Sequence, residues 1–205
     1  MMEFSLYLIT DNGAVKGDLA ESVEEALKGG VRAVQLRYKD GSGSALYESA
    51  KKLRAITDKY NALLFINDRI DIALAIGADG VHLPSKGMDV KDARTLLGSK
   101  LIGVSCHSLE EVKDAYKKGA DFVTIGPVFD TASKRQYGEP VGTDVLKDIK
   151  GIGIKTFALG GVKLNNLEEC FNKGADGVAL ITGILSAEDI KSTTENYIQK
   201  IKTLT

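Results

Sequence analysis

The chain predicts an α/β protein built as a single (β/α)8 TIM barrel over residues 1–205, and three observations carry that expectation. One phrase, a glycine followed by a short β-rich run, is written four times: KGGVRAVQL at 28–36, IGADGVHL at 76–83, KGADFVTIG at 118–126 and KGADGVALI at 173–181. Four other strand-like runs lie between and around them, at 4–10 (FSLYLIT), 62–66 (ALLFI), 100–105 (KLIGVS) and 154–160 (IKTFALG). The intervals carry apolar residues three and four apart, the period of a helix.

Taken in order, the first run begins acidic (Met-Met-Glu) and is short, which suits a first strand better than a signal peptide. Leu19, Ala20, Val23, Ala26 and Leu27 form a helical stripe that ends at a glycine suited to the left-handed stop, and the second strand follows. Leu46, Ala50, Leu53 and Ile56 repeat the pattern before the third strand. Asp68 precedes Ile70-Asp71-Ile72-Ala73-Leu74 and reads either as the N-cap of that helix or as an oxygen ligand. Ser108-Leu109-Glu110-Glu111 has the form of a capping box before Leu109, Val112, Ala115 and Tyr116. Leu164, Leu167, Cys170 and Phe171 mark a helix ahead of the last strand. The rival architecture, an open doubly wound sheet, lacks its glycine-rich turn, because Thr10-Asp11-Asn12-Gly13 contains no GxGxxG.

With 205 residues, 43% of them hydrophobic, the chain can bury a large core, and a net charge of −1 with no basic stripe argues against nucleic-acid binding. No run approaches the roughly 20 apolar residues of a membrane span. Cys106 and Cys170 are far apart and lack metal-ligand spacing, the pattern of two reduced thiols in a cytoplasmic protein. The partners expected are small phosphorylated molecules, with no membrane and no nucleic acid; a homo-oligomer is left open.

In a barrel of this kind the strand C-termini build the active site. Here they are polar: Gln35, Arg37 and Lys39 after the second strand, Asn67 and Asp68 after the third, His82 and Ser85 after the fourth, Ser105 and His107 after the fifth. The sixth is followed by a long loop containing Thr131 and Lys134, the seventh and eighth by Gly160-Gly161 and Thr182-Gly183. Glycines and a hydroxyl at the last two ends let backbone N–H groups approach a phosphate, although Gly160-Gly161 alone also reads as a tight turn. Arg37, Lys39 and Lys134 exceed what one phosphate needs. With Asp68 as a ligand to Mg2+ they suggest a diphosphate, the alternative being a solvated rim in which the cations pair with Asp40 and Asp68. His82 and His107 are the two histidines of the chain and read as hydrogen-bonded contacts.

QLRYK at 35–39, IND at 66–68, GVHL at 80–83, GVSCHS at 103–108, IGPVFDTASK at 125–134, GG at 160–161 and GADGVALIT at 174–182 resemble, in order, the motifs of the thiamin phosphate synthase family, which includes the thiazole tautomerases. The resemblance implies a Mg2+-dependent transferase that joins hydroxymethylpyrimidine diphosphate to thiazole phosphate and releases pyrophosphate. It implies that Arg37, Lys39, Asn67, Lys134 and, through the metal, Asp68 hold the leaving group. Gln35 would contact the pyrimidine, Ser105 would sit near the reacting methylene, and Gly161 with Ile181 and Thr182 would hold the thiazole and its phosphate. Thr131, Gly160, His82 and His107 complete the implied substrate contacts. One departure stands out: synthases follow GVHL with a Gly-Gln-x-Asp run whose acid is the second metal ligand, whereas this chain has Pro84-Ser85-Lys86-Gly87. Asp89, two residues on, is the nearest substitute ligand, and the same wording is typical of the tautomerase branch. That branch and a non-catalytic regulatory relative are the alternatives.

Overall fold

The computed structural model describes residues 4–38, 41–131 and 139–205, and its strands close into a barrel in sequential order, every neighbouring pair parallel. The strands are β1 (Leu6–Ile9), β2 (Ala33–Leu36), β3 (Leu63–Asn67), β4 (Gly80–Leu83), β5 (Leu101–Cys106), β6 (Phe122–Ile125), β7 (Lys155–Leu159) and β8 (Gly177–Leu180). Around them run α1 (Leu19–Lys28), α2 (Gly43–Lys59), α3 (Ile70–Ala75), α4 (Val90–Leu97), α5 (Leu109–Lys117), α6 (Val145–Lys150), α7 (Leu167–Asn172), α8 (Thr182–Leu185) and α9 (Ile190–Lys202). Every strand falls in a run read from the sequence, with β3 and β5 each extending one residue further.

The repeated phrase proves to be a device of the barrel's N-terminal end. Its glycines Gly30, Gly77, Gly119 and Gly174 have φ of +111°, +67°, +93° and +107°, so each takes the left-handed turn that ends a helix. In three copies an aspartate follows, and its Oδ2 accepts the backbone N–H of the strand before: Leu64 for Asp79 (2.7 Å), Ile102 for Asp121 (2.7 Å) and Thr156 for Asp176 (2.8 Å). Asp79 and Asp121 also receive Arg54 and Arg94, each at 2.6 Å. Arg32 holds that place in the first copy and donates instead to the carbonyls of Leu27 and Val31.

The next position of the phrase points into the barrel, where ring and glycine alternate. Phe65 is in register with Gly80, Phe122 with Gly103, and Phe157 with Gly177. A methyl on Gly103 would lie 2.3 Å from Phe122 Cζ, and one on Gly177 2.6 Å from Phe157 Cε1, so the rings occupy the space the glycines leave. With Phe4 and Tyr7 they form an aromatic floor, with centroids 4.9 Å apart for Phe4 and Phe157 and 5.2 Å for Phe65 and Phe122. A second core of aliphatic residues, Leu27, Leu53, Val81, Ile102, Val112 and Ile149 among them, lies buried outside the barrel, between strands and helices.

The expected capping box at α5 is half formed. Ser108 Oγ accepts Glu111 N–H at 3.2 Å, but Glu111 reaches back one residue further and accepts the N–H of His107 at 2.7 Å. That choice ties the helix start to the end of β5. Among the described residues no helix is long and apolar enough to cross a membrane.

Candidate active site

The C-terminal ends of the strands bring most of the expected residues to one mouth. Arg37 follows β2, with its N–H donated to Thr10 Oγ1 at 2.9 Å and Nη1 to Asp11 Oδ2 at 3.1 Å. Asp11 in turn accepts Gly13 N–H at 3.0 Å in a single 3-10 turn, Asn12–Ala14. Among the described residues the partner of Arg37 is therefore Asp11, on the loop after β1, and not the Asp68 of the rim reading; Asp40 lies outside the described residues. Both side chains are about a quarter to a third exposed (26% and 30%), so the bridge adds little stability. Its effect is to orient a guanidinium whose five donors exceed the needs of one carboxylate. Lys39 and Lys134 also lie outside the described residues.

At the end of β3, Asn67 is in register with His82, and Asp68 donates its N–H to His82 O at 3.0 Å. Asp68 adopts φ +64°, a conformation that Asp tolerates better than most side chains, and its carboxylate is exposed. It does not cap α3: the N-cap is Arg69, with no side-chain cap hydrogen bond, so that reading is corrected. Asp89 is used elsewhere. It caps α4, Oδ1 accepting Lys91 N–H at 2.9 Å and Oδ2 receiving Lys118 Nζ at 2.8 Å. Lys118, then the Lys91 N–H, hold its carboxyl below the usual range. Both oxygens serve α4 and the end of α5, so Asp89 would have to give up these partners to take the place of the missing metal acid. At Gly87 the chain makes a tight turn, N–H to Pro84 O at 2.9 Å, and a Cβ there would meet the Pro84 ring at 2.8 Å. Among the described residues no cluster of three or more His, Cys, Asp and Glu could hold a metal alone.

Beneath the mouth runs a chain of polar groups. Gln35, His82 and Thr124 are buried, and Tyr7 is fully so. Gln35 Nε2 donates to Tyr7 Oη at 3.1 Å, Tyr7 Oη lies 3.4 Å from His82 Nδ1, and His82 Nε2 lies 3.0 Å from Ser105 Oγ and 3.4 Å from Thr124 Oγ1. Burial pushes the His82 pKa down to about 3, so the imidazole is neutral, and burial raises the Tyr7 phenol well above its ordinary value. His82 thus reaches the mouth through Ser105, which is half-buried and borders a cleft of about 190 Å³ between the β4–α4 loop and α5. His107 is exposed, its Nδ1 2.6 Å from the carbonyl of Gly126.

On the far side, the loop after β6 packs against the end of β7: Val128 and Phe129 donate to the carbonyls of Leu159 and Gly160 at 2.9 and 3.1 Å. Gly160 and Gly161 have φ of +95° and +69°, and a Cβ on either would meet Pro127 or Phe129 at 2.6 Å. The glycine pair is needed for this packing whatever it binds. Thr131 Oγ1 is buried without a hydrogen-bond partner among the described residues. Ile181 and Thr182 stand where β8 passes into α8.

Reading the sequence missed Tyr7, Thr10, Asp11 and Thr124. Tyr7 and Thr124 sit within apolar strands, and only the inward parity of their neighbours Phe65 and Phe122 could have marked them.

Comparison with known proteins agrees with this architecture. Residues 6–184 match the family model described as thiamine monophosphate synthase. A Geobacter sulfurreducens protein, provisionally named as a thiamine-phosphate synthase, is 54% identical over 92% of this chain and 90% of its own length. The thiamine-phosphate synthase of Clostridium acetobutylicum is 46% identical over 93% of this chain and 91% of its own. The solved structure of thiamine phosphate pyrophosphorylase from Pyrococcus furiosus superposes with a TM-score of 0.90 at 38% identity, covering 98% of this chain and 96% of that one. A family model that runs from β1 into α8, relatives near half identity along the whole barrel, and a superposable solved fold lead to one conclusion: the chain belongs to the thiamine monophosphate synthase family.

Proposed function

We infer that the protein is a thiamin phosphate synthase, a transferase that joins 4-amino-5-hydroxymethyl-2-methylpyrimidine diphosphate to thiazole phosphate and releases pyrophosphate. The observation that carries this reading is the run of relatives named thiamine-phosphate synthase at 40–46% identity over more than nine-tenths of the chain. In the reaction the carbon–oxygen bond to the diphosphate breaks, its electron pair leaving with pyrophosphate, and the thiazole nitrogen then supplies the pair for the new carbon–nitrogen bond. Stabilising negative charge on the leaving group is the main catalytic demand. Arg37, oriented by Asp11, meets it together with Lys39, Lys134 and Asn67. Gln35 positions the pyrimidine, and Ser105 stands by the reacting methylene. Gly160, Gly161, Ile181 and Thr182 hold the thiazole phosphate, with Thr131 and His107 at the edge of the site.

Asp68 fits the remaining requirement. Its carboxylate is exposed and caps no helix, and Mg2+ is commonly held by one or two carboxylates plus substrate phosphates. Asp68 with diphosphate oxygens would hold the ion, which when bound adds positive charge beside the leaving oxygens. A cytoplasmic location accords with Cys106 and Cys170, buried free thiols whose pKa values burial pushes up to about 12.

The test is an assay of thiamin phosphate and pyrophosphate from both substrates over a Mg2+ series. One observation favours a second reading, thiazole tautomerisation: the Pro84–Gly87 turn carries no acid, and Asp89 is engaged elsewhere. Absence of thiamin phosphate at high Mg2+, with metal-independent aromatisation of the thiazole tautomer, would give that reading precedence.

A further inference from the structure

The catalytic reading uses Ser105 and Gln35 but leaves Tyr7 and His82, which link them, without a role. A buried histidine, tyrosine and glutamine inside an aromatic barrel are costly unless their hydrogen bonds are all directed. Their directions follow in sequence. Gln35 Nε2 can only donate, so Tyr7 Oη accepts it at 3.1 Å and keeps its own proton to give. The acceptor within reach is His82 Nδ1, at 3.4 Å. A neutral imidazole that accepts at Nδ1 carries its proton on Nε2, and the nearest oxygen to Nε2 is Ser105 Oγ at 3.0 Å, with Thr124 Oγ1 further off at 3.4 Å. Ser105 therefore accepts from below, and its hydroxyl proton is left to point into the mouth.

We propose that Tyr7 and His82 are positioning residues that hold Ser105 as a hydrogen-bond donor facing the leaving diphosphate. The inference rests on the synthase reading for the identity of the acceptor, whereas the direction of the chain follows from the Gln35 amide as donor and from a neutral His82 ring. The packing supports it. A Cβ on Gly103 would come within 2.7 Å of His82 Nδ1, so the glycine beside the ring gives the imidazole its place, and Phe122 flanks it at 5.7 Å between centroids. A donor fixed before the substrate arrives needs no reorientation as negative charge develops, which is where preorganised donors act.

Two measurements test this. The chain has two histidines, so a long-range proton–nitrogen-15 spectrum, assigned with a His107→Asn variant, reads the His82 tautomer without any turnover. A neutral ring protonated at Nε2, unchanged between about pH 5 and 8, is expected; a proton on Nδ1 would reverse the bonds of His82 to Tyr7 and to Ser105 and overturn the inference. The second is a double-mutant cycle on synthase activity. Tyr7→Phe, which removes only the hydroxyl, is expected to lower kcat roughly tenfold with both KM values unchanged, less than the 10²–10³ lost when a transition-state donor is removed outright. In a Ser105→Ala background the same change should cost nothing more. Equal losses in both backgrounds would make Tyr7 a structural residue and overturn the positioning role while leaving Ser105 in the site. Full activity of Ser105→Ala would remove Ser105 from the synthase reading, and the donor role with it.

Discussion

The two ends of this barrel are built from the same strands under different rules. At the N-terminal end Asp79, Asp121 and Asp176 each bind the second amide of the preceding strand, and each follows a left-handed glycine. At the C-terminal end the four copies of the phrase run on into Arg37, Pro84, Pro127 and Thr182, which do not share one chemistry. Closing a sheet imposes one geometric requirement on every second strand, so one wording serves repeatedly. A mouth that must receive an asymmetric ligand cannot repeat. Repetition here marks what holds the barrel, and departure from repetition marks what the barrel is for.

Substitutions should separate the two ends. The largest effect is expected from Arg37→Ala, which should lower kcat/KM by roughly 10²–10³, about 3–4 kcal/mol of transition-state stabilisation, because a preorganised cation at the leaving group is lost. Its unfolding midpoint in urea should move little, since the Asp11 bridge is partly exposed. A large stability loss with normal kinetics would put Arg37 on the structural side. Asp121→Ala should do the reverse. It strips the Ile102 N–H and Arg94 of their shared acceptor, and roughly 2–3 kcal/mol of stability should go with unchanged KM values in the folded enzyme. Altered substrate affinity would show that the two ends are coupled.

Acid probes the layer between them. His82 titrates at about 3 in the fold, against roughly 6.5 in the unfolded chain. Below the unfolded value the unfolded chain binds a proton that the folded one refuses, so stability falls with falling pH, by about 1.4 kcal/mol per unit from this residue, until the folded pKa is reached. Urea unfolding between about pH 6.5 and 4.5 should show that slope, and His82→Gln should flatten it. An identical slope in the variant would assign the acid sensitivity to other groups.

The smallest effect concerns the metal edge of the mouth. Gly87→Asp alone should change the Mg2+ requirement little, because its Cβ strikes the Pro84 ring. With Pro84→Gly added, the Mg2+ concentration for half-maximal rate should fall severalfold, as a second carboxylate joins Asp68. If neither variant responds to Mg2+, Asp68 is not a metal ligand and the tautomerase reading gains.

Much of this was legible in one dimension. The strand count and the helix stops were written in the repeated glycines, and Gln35, Arg37, Asn67, Asp68 and Ser105 stood out because polar residues at strand ends break an apolar period. What was illegible depended on partners far away in sequence. Asp11 lies 26 residues from Arg37, and its role is set by the bending of the β1 loop towards β2. Asp89 looked like a spare ligand, yet Lys118 and the first turn of α4 claim it. Tyr7 read as one more apolar strand residue, and its hydroxyl acquires a function only when His82, 75 residues on, is brought beneath the mouth. By itself, then, the sequence determined the period, the closure signals and the inventory of charge at the strand ends, because these follow from local backbone preference and from alternation along each strand. Which carboxylates remain available to a ligand, and which way the buried protons point, was decided only by the tertiary structure, because hydrogen bonds are shared among groups that meet only when the barrel closes.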